Sequence, residues 1–200
     1  WFNVTTANGK TGWVPASRSF TLNAPNLSLT NVNGISYRGS LSLTAADKAI
    51  KVINTLDIED YLKGVVPNEM PASWHKEALK AQAIVARSYA ANSSYLKDTT
   101  ASQVYKGYSS EDSRTSEAIE ETSGIVVKYN GKPIQTFFFS TSGGRTANVW
   151  DVWNSSQSTY PYLKSVEDPY ENSPHSNWKY EFRSRSLLKS FGFSAQTVLY

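Results

Sequence analysis

The sequence predicts an α+β fold in which mixed short β-strands pack around a central alanine-rich helix. Three observations predict it. Short β-like runs separated by turn residues fill residues 27–58, one long helical stretch follows at about 74–95, and the two kinds of element are grouped without a repeating βαβ rhythm. The 200 residues are enough for a real core. With 40% apolar and 18% charged residues, the composition is that of a soluble globular chain rather than a disordered one. No apolar run approaches the roughly 18 residues that a bilayer span requires.

The opening, WFNVTTANGKTGWVP, reads as a β-hairpin. Alternating residues flank a turn at Asn8-Gly9-Lys10, and Pro15 ends the second strand. An isolated hairpin of about 15 residues is marginal, so residues 1–17 must pack on the main domain or be the remnant of a neighbour. They have neither the basic start nor the apolar core of a signal peptide; a removed leader and a start inside a longer protein both fit. Residues 18–25 read as a linker and residues 26–200 as the main domain.

Within that domain the runs LSLTNV, ISYRGSLSLT and AIKVINTL read as strands, separated by turns at Asn33-Gly34 and Ala46-Asp47. Ser73 is the expected N-cap, with Glu77 in the first turn, for a helix from about Trp74 to Tyr95. Alanines at 78, 81, 83, 86, 90 and 91 raise its propensity and let neighbours approach closely. A second helix is predicted over Ser113–Thr122, ended by Gly124. A strand pair follows, GIVVKY and PIQTFFFS, around a turn at Asn130-Gly131. The loop STSGG, an irregular aromatic stretch to about Pro174 and a short helix near Ser186–Ser190 complete the chain, which has no internal repeats.

The absence of cysteine excludes disulfides, thiolate metal sites and cysteine nucleophiles. The net charge of +3 is mild, and the densest basic stretch is only Arg183, Arg185 and Lys189. Nucleic-acid binding, which shows a concentrated basic face, is therefore not expected; weak attraction to an acidic polymer such as a cell-wall polyanion is compatible with this charge. The 6 Trp, 12 Tyr and 8 Phe suit packing against sugar rings and filling a β-rich core equally.

Glu69 is the leading candidate for chemistry. Pro67 and Pro71 stiffen its turn, the strand-like run GVVP anchors it, and Met70 and Trp74 offer low-dielectric surroundings. Burial favours the protonated carboxyl that a general acid requires. The competing reading is a glutamate placed by the dipole of the helix that follows. Glu59 and Asp60 read as a solvated edge or turn at the end of a strand, and Glu77 as an ordinary first-turn acid. Glycoside hydrolysis normally uses two carboxylates, and no second acid stands out, so a mechanism needing one is favoured. His75 and His175 have no metal spacing and read as surface or capping residues. The segment Ser140-Thr141-Ser142-Gly143-Gly144 offers hydroxyls and N–H groups to a ligand, or is a structural loop; it lacks the lysine and following helix of a phosphate loop.

Several ordered motifs together resemble the SpoIID/LytB family of bacterial cell-wall proteins. They are E-D-Y-L-x-G-V-V-P-x-E-M-P at Glu59–Pro71, E-A-L-K-A-Q-A-x-x-A-R-S-Y at Glu77–Tyr89, Q-V-Y-x-G-Y at Gln103–Tyr108, T-S-G at Thr122–Gly124, S-T-S-G-G at Ser140–Gly144 and P-Y-L-x-S-V at Pro161–Val166. The likeness covers roughly residues 25–182. The opening hairpin resembles the last hairpin of bacterial SH3-type domains, which bind cell walls.

The resemblance implies an extracytoplasmic protein whose partner is the glycan strand of peptidoglycan, held in a substrate groove. Sporulation members of the family are lytic transglycosylases, which cut between N-acetylmuramic acid and N-acetylglucosamine and leave a 1,6-anhydro end. The family's catalytic glutamate falls on Glu69. Lys80, Gln82, Arg87, Tyr89, Gln103, Tyr105 and Ser140 match positions expected to bind substrate, each with a scaffold role as the alternative. Lys80 and Arg87 are placed on different helix faces, and Arg87 suits a buried carboxylate as well as a sugar. Other relatives are amidase enhancers, which bind glycan and stimulate a cell-wall amidase; that function, and wall anchoring alone, stay open. Some relatives bind zinc through His and Cys around the S-T-S-G-G loop. Here Phe138 and Phe139 precede Ser140 and cysteine is absent, so neither zinc nor another cofactor is expected. Thr146-Ala147 replaces the family's T-E, and the chain stops before the C-terminal region of longer members.

Overall fold

The computed structural model describes residues 2–5, 11–14, 20–23, 29–46, 49–181 and 183–192. They fall into two compact units, Trp1–Phe138 and Phe139–Tyr200.

In the first unit the strands are short and antiparallel. β1 (Phe2–Thr5) and β2 (Thr11–Val14) form the opening hairpin, with Phe2 opposite Val14 and Thr5 opposite Thr11. Its expected turn at Asn8-Gly9-Lys10, and Pro15, lie outside the described residues. β3 (Phe20–Asn23) pairs with β6 (Ser40–Ala46), which pairs with β7 (Ala49–Thr55), giving a three-stranded sheet. Residues 20–23 are thus a strand where the sequence reads as linker: the alternating F-T-L-N matches its backbone to Ser40–Leu43. β4 (Thr30–Val32) and β5 (Ile35–Tyr37) are a hairpin through Asn33-Gly34, both at positive φ, as the turn sequence predicts. The run ISYRGSLSLT breaks at Arg38-Gly39 into strands of two different sheets. The turn expected at Ala46-Asp47 lies outside the described residues at Asp47.

The helices differ more from expectation. Glu59 and Asp60 are not at a strand end but in the first turn of α1 (Ile58–Lys63), whose N-cap Asp57 accepts the Glu59 N–H at 2.8 Å. The run before Glu69 is also helical: α2 (Val66–Glu69) carries Pro67 in its first turn. α3 (Lys76–Ala91) is shorter than predicted at both ends. His75, not Ser73, is its N-cap, its Nδ1 accepting the Glu77 N–H. At the other end Asn92 Nδ2 and Ser93 Oγ donate to the carbonyls of Ser88 and Tyr89, which closes the helix before Tyr95. A 3-10 turn at Tyr108–Ser110 leads to α4 (Ser113–Glu121), capped by Asp112.

Alanine is what brings these helices together. Ala83, Ala86 and Ala90 of α3 form one core cluster with Tyr61, Leu62, Val65, Val66 and Ile119, drawn from α1, α2, the turn between them and α4. Full burial of side chains such as Leu62 and Val66 stabilises by about 1.5–3 kcal/mol each. The expected long strand pair after α4 is reduced to β8 (Lys128–Tyr129) and β9 (Lys132–Pro133) around Asn130-Gly131. The flanking polar groups turn to α3 instead: Val127 N donates to Ser88 Oγ at 2.9 Å and Thr136 Oγ1 to the Val85 carbonyl at 2.7 Å.

The second unit contains α5 (Val149–Val152), opened by an Asn148–Asp151 capping box inside a stretch read as irregular, and α6 (Ser184–Ser190). Among the described residues no helix is long and apolar enough to cross a membrane.

Candidate functional site

Glu69 ends a helix of four residues. Asn68 N and Glu69 N both donate to the Val65 carbonyl, Met70 N donates to that of Val66, and Met70 itself is extended. Asn68 clips the turn to its surroundings, its Nδ2 donating to the Gly64 carbonyl at 2.8 Å and to Ser110 Oγ at 3.0 Å. The half-buried Glu69 carboxylate accepts the Val104 backbone N–H on Oε1 at 2.6 Å. Oε2 has no hydrogen-bond partner among the described residues. Trp74, expected beside this carboxylate, is instead 53% exposed.

The segment that supplies the Val104 N–H is itself fixed from both sides. Gln103, with no exposed surface, donates Nε2 to the Ala86 carbonyl at 3.4 Å and accepts the Tyr61 hydroxyl on Oε1 at 3.2 Å. Tyr105 stacks on Tyr61 with ring centroids 5.3 Å apart and donates its hydroxyl to Asn54 Oδ1 at 2.8 Å. Lys106 N donates to the Gly64 carbonyl. A Cβ at Gly64 would lie 2.5 Å from Tyr105 Cε2, so α1 ends in glycine where the tyrosine passes. Gly107, at φ 68°, brings the backbone against β5, where a Cβ would lie 2.5 Å from the Ser36 carbonyl oxygen. The motif Q-V-Y-x-G-Y is in this way a brace for Glu69.

Tyr61 is the member of this cluster that the sequence analysis did not select. Burial first, then the nearby Tyr89 and the Glu69 charge, push its phenol well above the ordinary tyrosine value. It therefore stays a donor to Gln103. Its place in the Glu59–Pro71 motif is the signal that was open to reading.

The remaining candidates divide between this cluster and the α3–α4 contact. Arg87, 1% exposed, grips Glu59 through Nε and Nη2 at 2.8 and 2.7 Å and donates to the carbonyls of Ile119 and Ile125. Gly124 N adds a bond to Glu59 Oε1 at 3.1 Å, which accounts for T-S-G. Burial works to raise the Glu59 pKa, but Arg87 and the Gly124 N–H outweigh it and the carboxyl lies below its ordinary value. Glu59 is therefore a structural ion-pair partner, not a solvated edge. Lys80 bridges Glu77 at 2.9 Å and Glu121 at 2.8 Å, hydrogen bonds that raise its pKa. Two helical turns apart, Lys80 and Arg87 share the face toward α4, correcting their assignment to different faces. Gln82 is 6% exposed, and its Nε2 is buried without a hydrogen-bond partner among the described residues. Tyr89 packs edge-on against Phe137 at 6.1 Å.

Ser140 belongs to the second unit, exposed, with its Oγ 3.4 Å from Thr141 Oγ1. The rest of S-T-S-G-G is held by acids from the E-D-P-Y-E segment. Ser142 donates Oγ to Asp168 and Glu171 at 2.9 and 2.7 Å and its N–H to Glu171 at 2.6 Å, while Thr141 Oγ1 and Ser173 Oγ are 2.7 Å apart. The Ser142 bonds lower the Glu171 pKa. These bonds give the loop a structural role within its unit.

Most other acids of the first unit are occupied. Arg38 pairs with Glu111 at 2.6 Å and lies 3.9 Å from Asp60; Lys63 approaches Asp60 and Glu120; Lys76 holds Glu117 and Glu121. Asp57 and Asp112 cap helices. In the first unit only Glu69 and Asp98 are left, among the described residues, without a cation or a cap. No group of three or more His, Cys, Asp or Glu side chains is arranged to hold a metal ion among the described residues.

Residues 46–129, which run from the end of β6 through β8 and so include Glu69 and its brace, match the SpoIID stage II sporulation protein model. The amidase enhancer of Bacillus subtilis (strain 168) is 50% identical over 113 residues, 54% of this chain and 16% of that protein. An uncharacterized protein of Brachyspira hyodysenteriae is 38% identical over 156 residues, 74% of this chain and 42% of its own length. Stage II sporulation protein D of Bacillus subtilis is 35% identical over 164 residues, 67% of this chain and 47% of that protein. The chain spans less than half the length of each of these relatives. By the matched domain and these relatives, the chain belongs to the SpoIID/LytB family.

Proposed function

We propose that the chain is an extracytoplasmic peptidoglycan lytic transglycosylase that uses Glu69 as its one catalytic carboxyl. The observation that carries this reading is the setting of Glu69: half-buried, anchored through Oε1 by a backbone N–H, and, among the described residues, free of the ion pairs that occupy most other acids of its unit. An acid tied to Arg or Lys is held as carboxylate, whereas a general acid must reach the protonated state.

Protonated Glu69 gives its proton to the oxygen that links N-acetylmuramic acid to N-acetylglucosamine, and the bond from C1 to that oxygen breaks. Positive charge on C1 is met by the muramyl O6, which closes the 1,6-anhydro ring. The Glu69 carboxylate takes the O6 proton and is ready for another turn. No water is consumed, so no second carboxylate is needed to activate one. Gln82, Tyr89, Gln103 and Tyr105 stand on the elements that surround Glu69 and are assigned to shaping the substrate groove; Gln103 and Tyr105 act through the Val104 segment. Lys80 and Arg87 are assigned to the α3–α4 scaffold.

The test is incubation with purified glycan strands, with and without stem peptides, and mass spectrometry of the products. Anhydro-muramyl ends that disappear in Glu69→Gln support the enzyme; ordinary reducing ends indicate hydrolysis. The second reading, a non-catalytic amidase enhancer, is favoured by the 50% identity to the protein of that name. No cleavage together with stimulation of a cell-wall amidase decides for it.

A further inference from the structure

Two Asn-Gly turns lie within the described residues, and the fold holds them differently. Asn33-Gly34 joins β4 to β5 and Asn130-Gly131 joins β8 to β9; all four residues are exposed and at positive φ. An asparagine before glycine is the one whose side-chain amide is most open to attack by the next backbone nitrogen, because glycine brings no Cβ to obstruct the approach. How firmly each turn is held then decides whether the attack occurs.

At the first turn Asn31 spans the loop. Its Oδ1 accepts the Gly34 N–H at 3.1 Å and its Nδ2 donates to Ser36 Oγ at 3.3 Å. The Gly34 nitrogen thus keeps its proton engaged with an acceptor other than Asn33. β5 is held in turn, with the Tyr37 ring 6.2 Å from that of Tyr105 and Gly107 packed on the Ser36 carbonyl.

The second turn has no such support. Neither the Gly131 N–H nor the Asn130 side chain has a hydrogen-bond partner among the described residues. β8 and β9 have two residues each, all exposed, and a Cβ at Gly131 would meet nothing within 4 Å. Lys128 and Lys132 flank the turn, and positive charge favours the anionic nitrogen that attacks. A hairpin this short opens locally at little cost.

We propose that Asn130 is a site of spontaneous deamidation and that Asn33 is protected from it. The Gly131 nitrogen gives up its proton and bonds to Asn130 Cγ; the Cγ–Nδ2 bond breaks, and ammonia leaves with that proton. Water then opens the succinimide ring at either carbonyl and leaves aspartate or isoaspartate. Either product puts a carboxylate between Lys128 and Lys132. Isoaspartate also adds a carbon to the main chain of a two-residue turn, which breaks the pairing of Tyr129 with Lys132. The change stops at the Ile134 N–H bond to the Val127 carbonyl, because Ser88 and Val85 of α3 hold Val127 and Thr136 on the two arms. Nothing in this chemistry depends on the activity proposed for Glu69.

The test ages the protein at neutral pH, folded in buffer and unfolded in urea, and maps tryptic peptides by mass spectrometry at intervals. Methylation by an isoaspartyl methyltransferase is the second readout. Asn130 falls on peptide 129–145, Asn33 on peptide 19–38 and Asn8 on the peptide ending at Lys10, so each is read alone. In buffer, amide-to-acid conversion is expected about tenfold faster at Asn130 than at Asn33, and in urea the two rates should converge. Asn31→Ala should bring folded-state conversion at Asn33 up toward that at Asn130, and thermal unfolding of the aged wild type should match that of fresh protein. Conversion in buffer that is equal at the two sites, faster at Asn33, or absent at Asn130 while the unfolded chain converts overturns the proposal. Protection of Asn33 that persists in Asn31→Ala overturns the role given to Asn31. A melting temperature that falls as isoaspartate accumulates overturns the confinement of the change to the hairpin tip.

Discussion

Arg87 and Glu59, twenty-eight residues apart, close a bidentate ion pair that ties α3 to the first turn of α1. The guanidinium is almost wholly buried, so removing its partner leaves an uncompensated charge. Glu59→Ala and Arg87→Met are each expected to cost about 3 kcal/mol in urea unfolding. Arg87→Lys is expected to recover little, since an ammonium cannot make two parallel bonds and still reach the Ile119 and Ile125 carbonyls.

The same pair makes stability pH-dependent. The folded Glu59 pKa lies below its ordinary value, so the pair's contribution is full above the unfolded glutamate value of about 4.3 and is lost as pH falls through the folded one. Unfolding free energy measured from neutral pH downward should fall across that window. In Glu59→Gln the slope should be shallower, and an unchanged slope would count against the assignment.

Glu69→Gln should abolish glycan cleavage, a loss of about 10²–10⁴-fold, while thermal unfolding stays near that of the parent. Glutamine keeps an acceptor for the Val104 N–H and removes only the titrating proton. A variant that still cuts would end the proposal for this residue.

Gln82→Leu separates scaffold from function. The buried Nε2 has no hydrogen-bond partner among the described residues, so leucine removes an unsatisfied donor and stability should hold or rise by about 1 kcal/mol in chemical denaturation. Under the proposed function, cleavage of glycan strands should fall at the same time. A stable variant with full activity would assign Gln82 to packing alone.

Gly107→Ala should be worse than Gly64→Ala. The first meets a backbone oxygen from a positive-φ position, and the second meets a tyrosine ring edge that has some room to shift. A loss of about 2 kcal/mol is expected for Gly107→Ala, read by thermal denaturation, and the Gly64 variant should show the smaller change.

Local signals carried the sequence reading far, and tertiary ones escaped it. Asn33-Gly34 and Asn130-Gly131 were legible because a two-residue turn demands positive φ at both positions. The α3 core was legible in its alanines. α1 was missed although Asp57 followed by Glu59 and Asp60 is a helix-start pattern; the strand-like run before it hid the signal. The GIVVKY and PIQTFFFS strands were overcalled because their backbone and hydroxyl groups find partners on α3, which no local pattern encodes. Glu69 stood out through its prolines. Its anchor did not, because the donor is the main chain of Val104.

A main-chain anchor alters how such a protein can change over generations. Apart from proline, whatever residue stands at position 104 presents the same N–H, so substitution there does not by itself remove the anchor of Glu69. The side chains around the carboxylate can then vary from copy to copy of this scaffold, while the carboxylate itself is still delivered to its place.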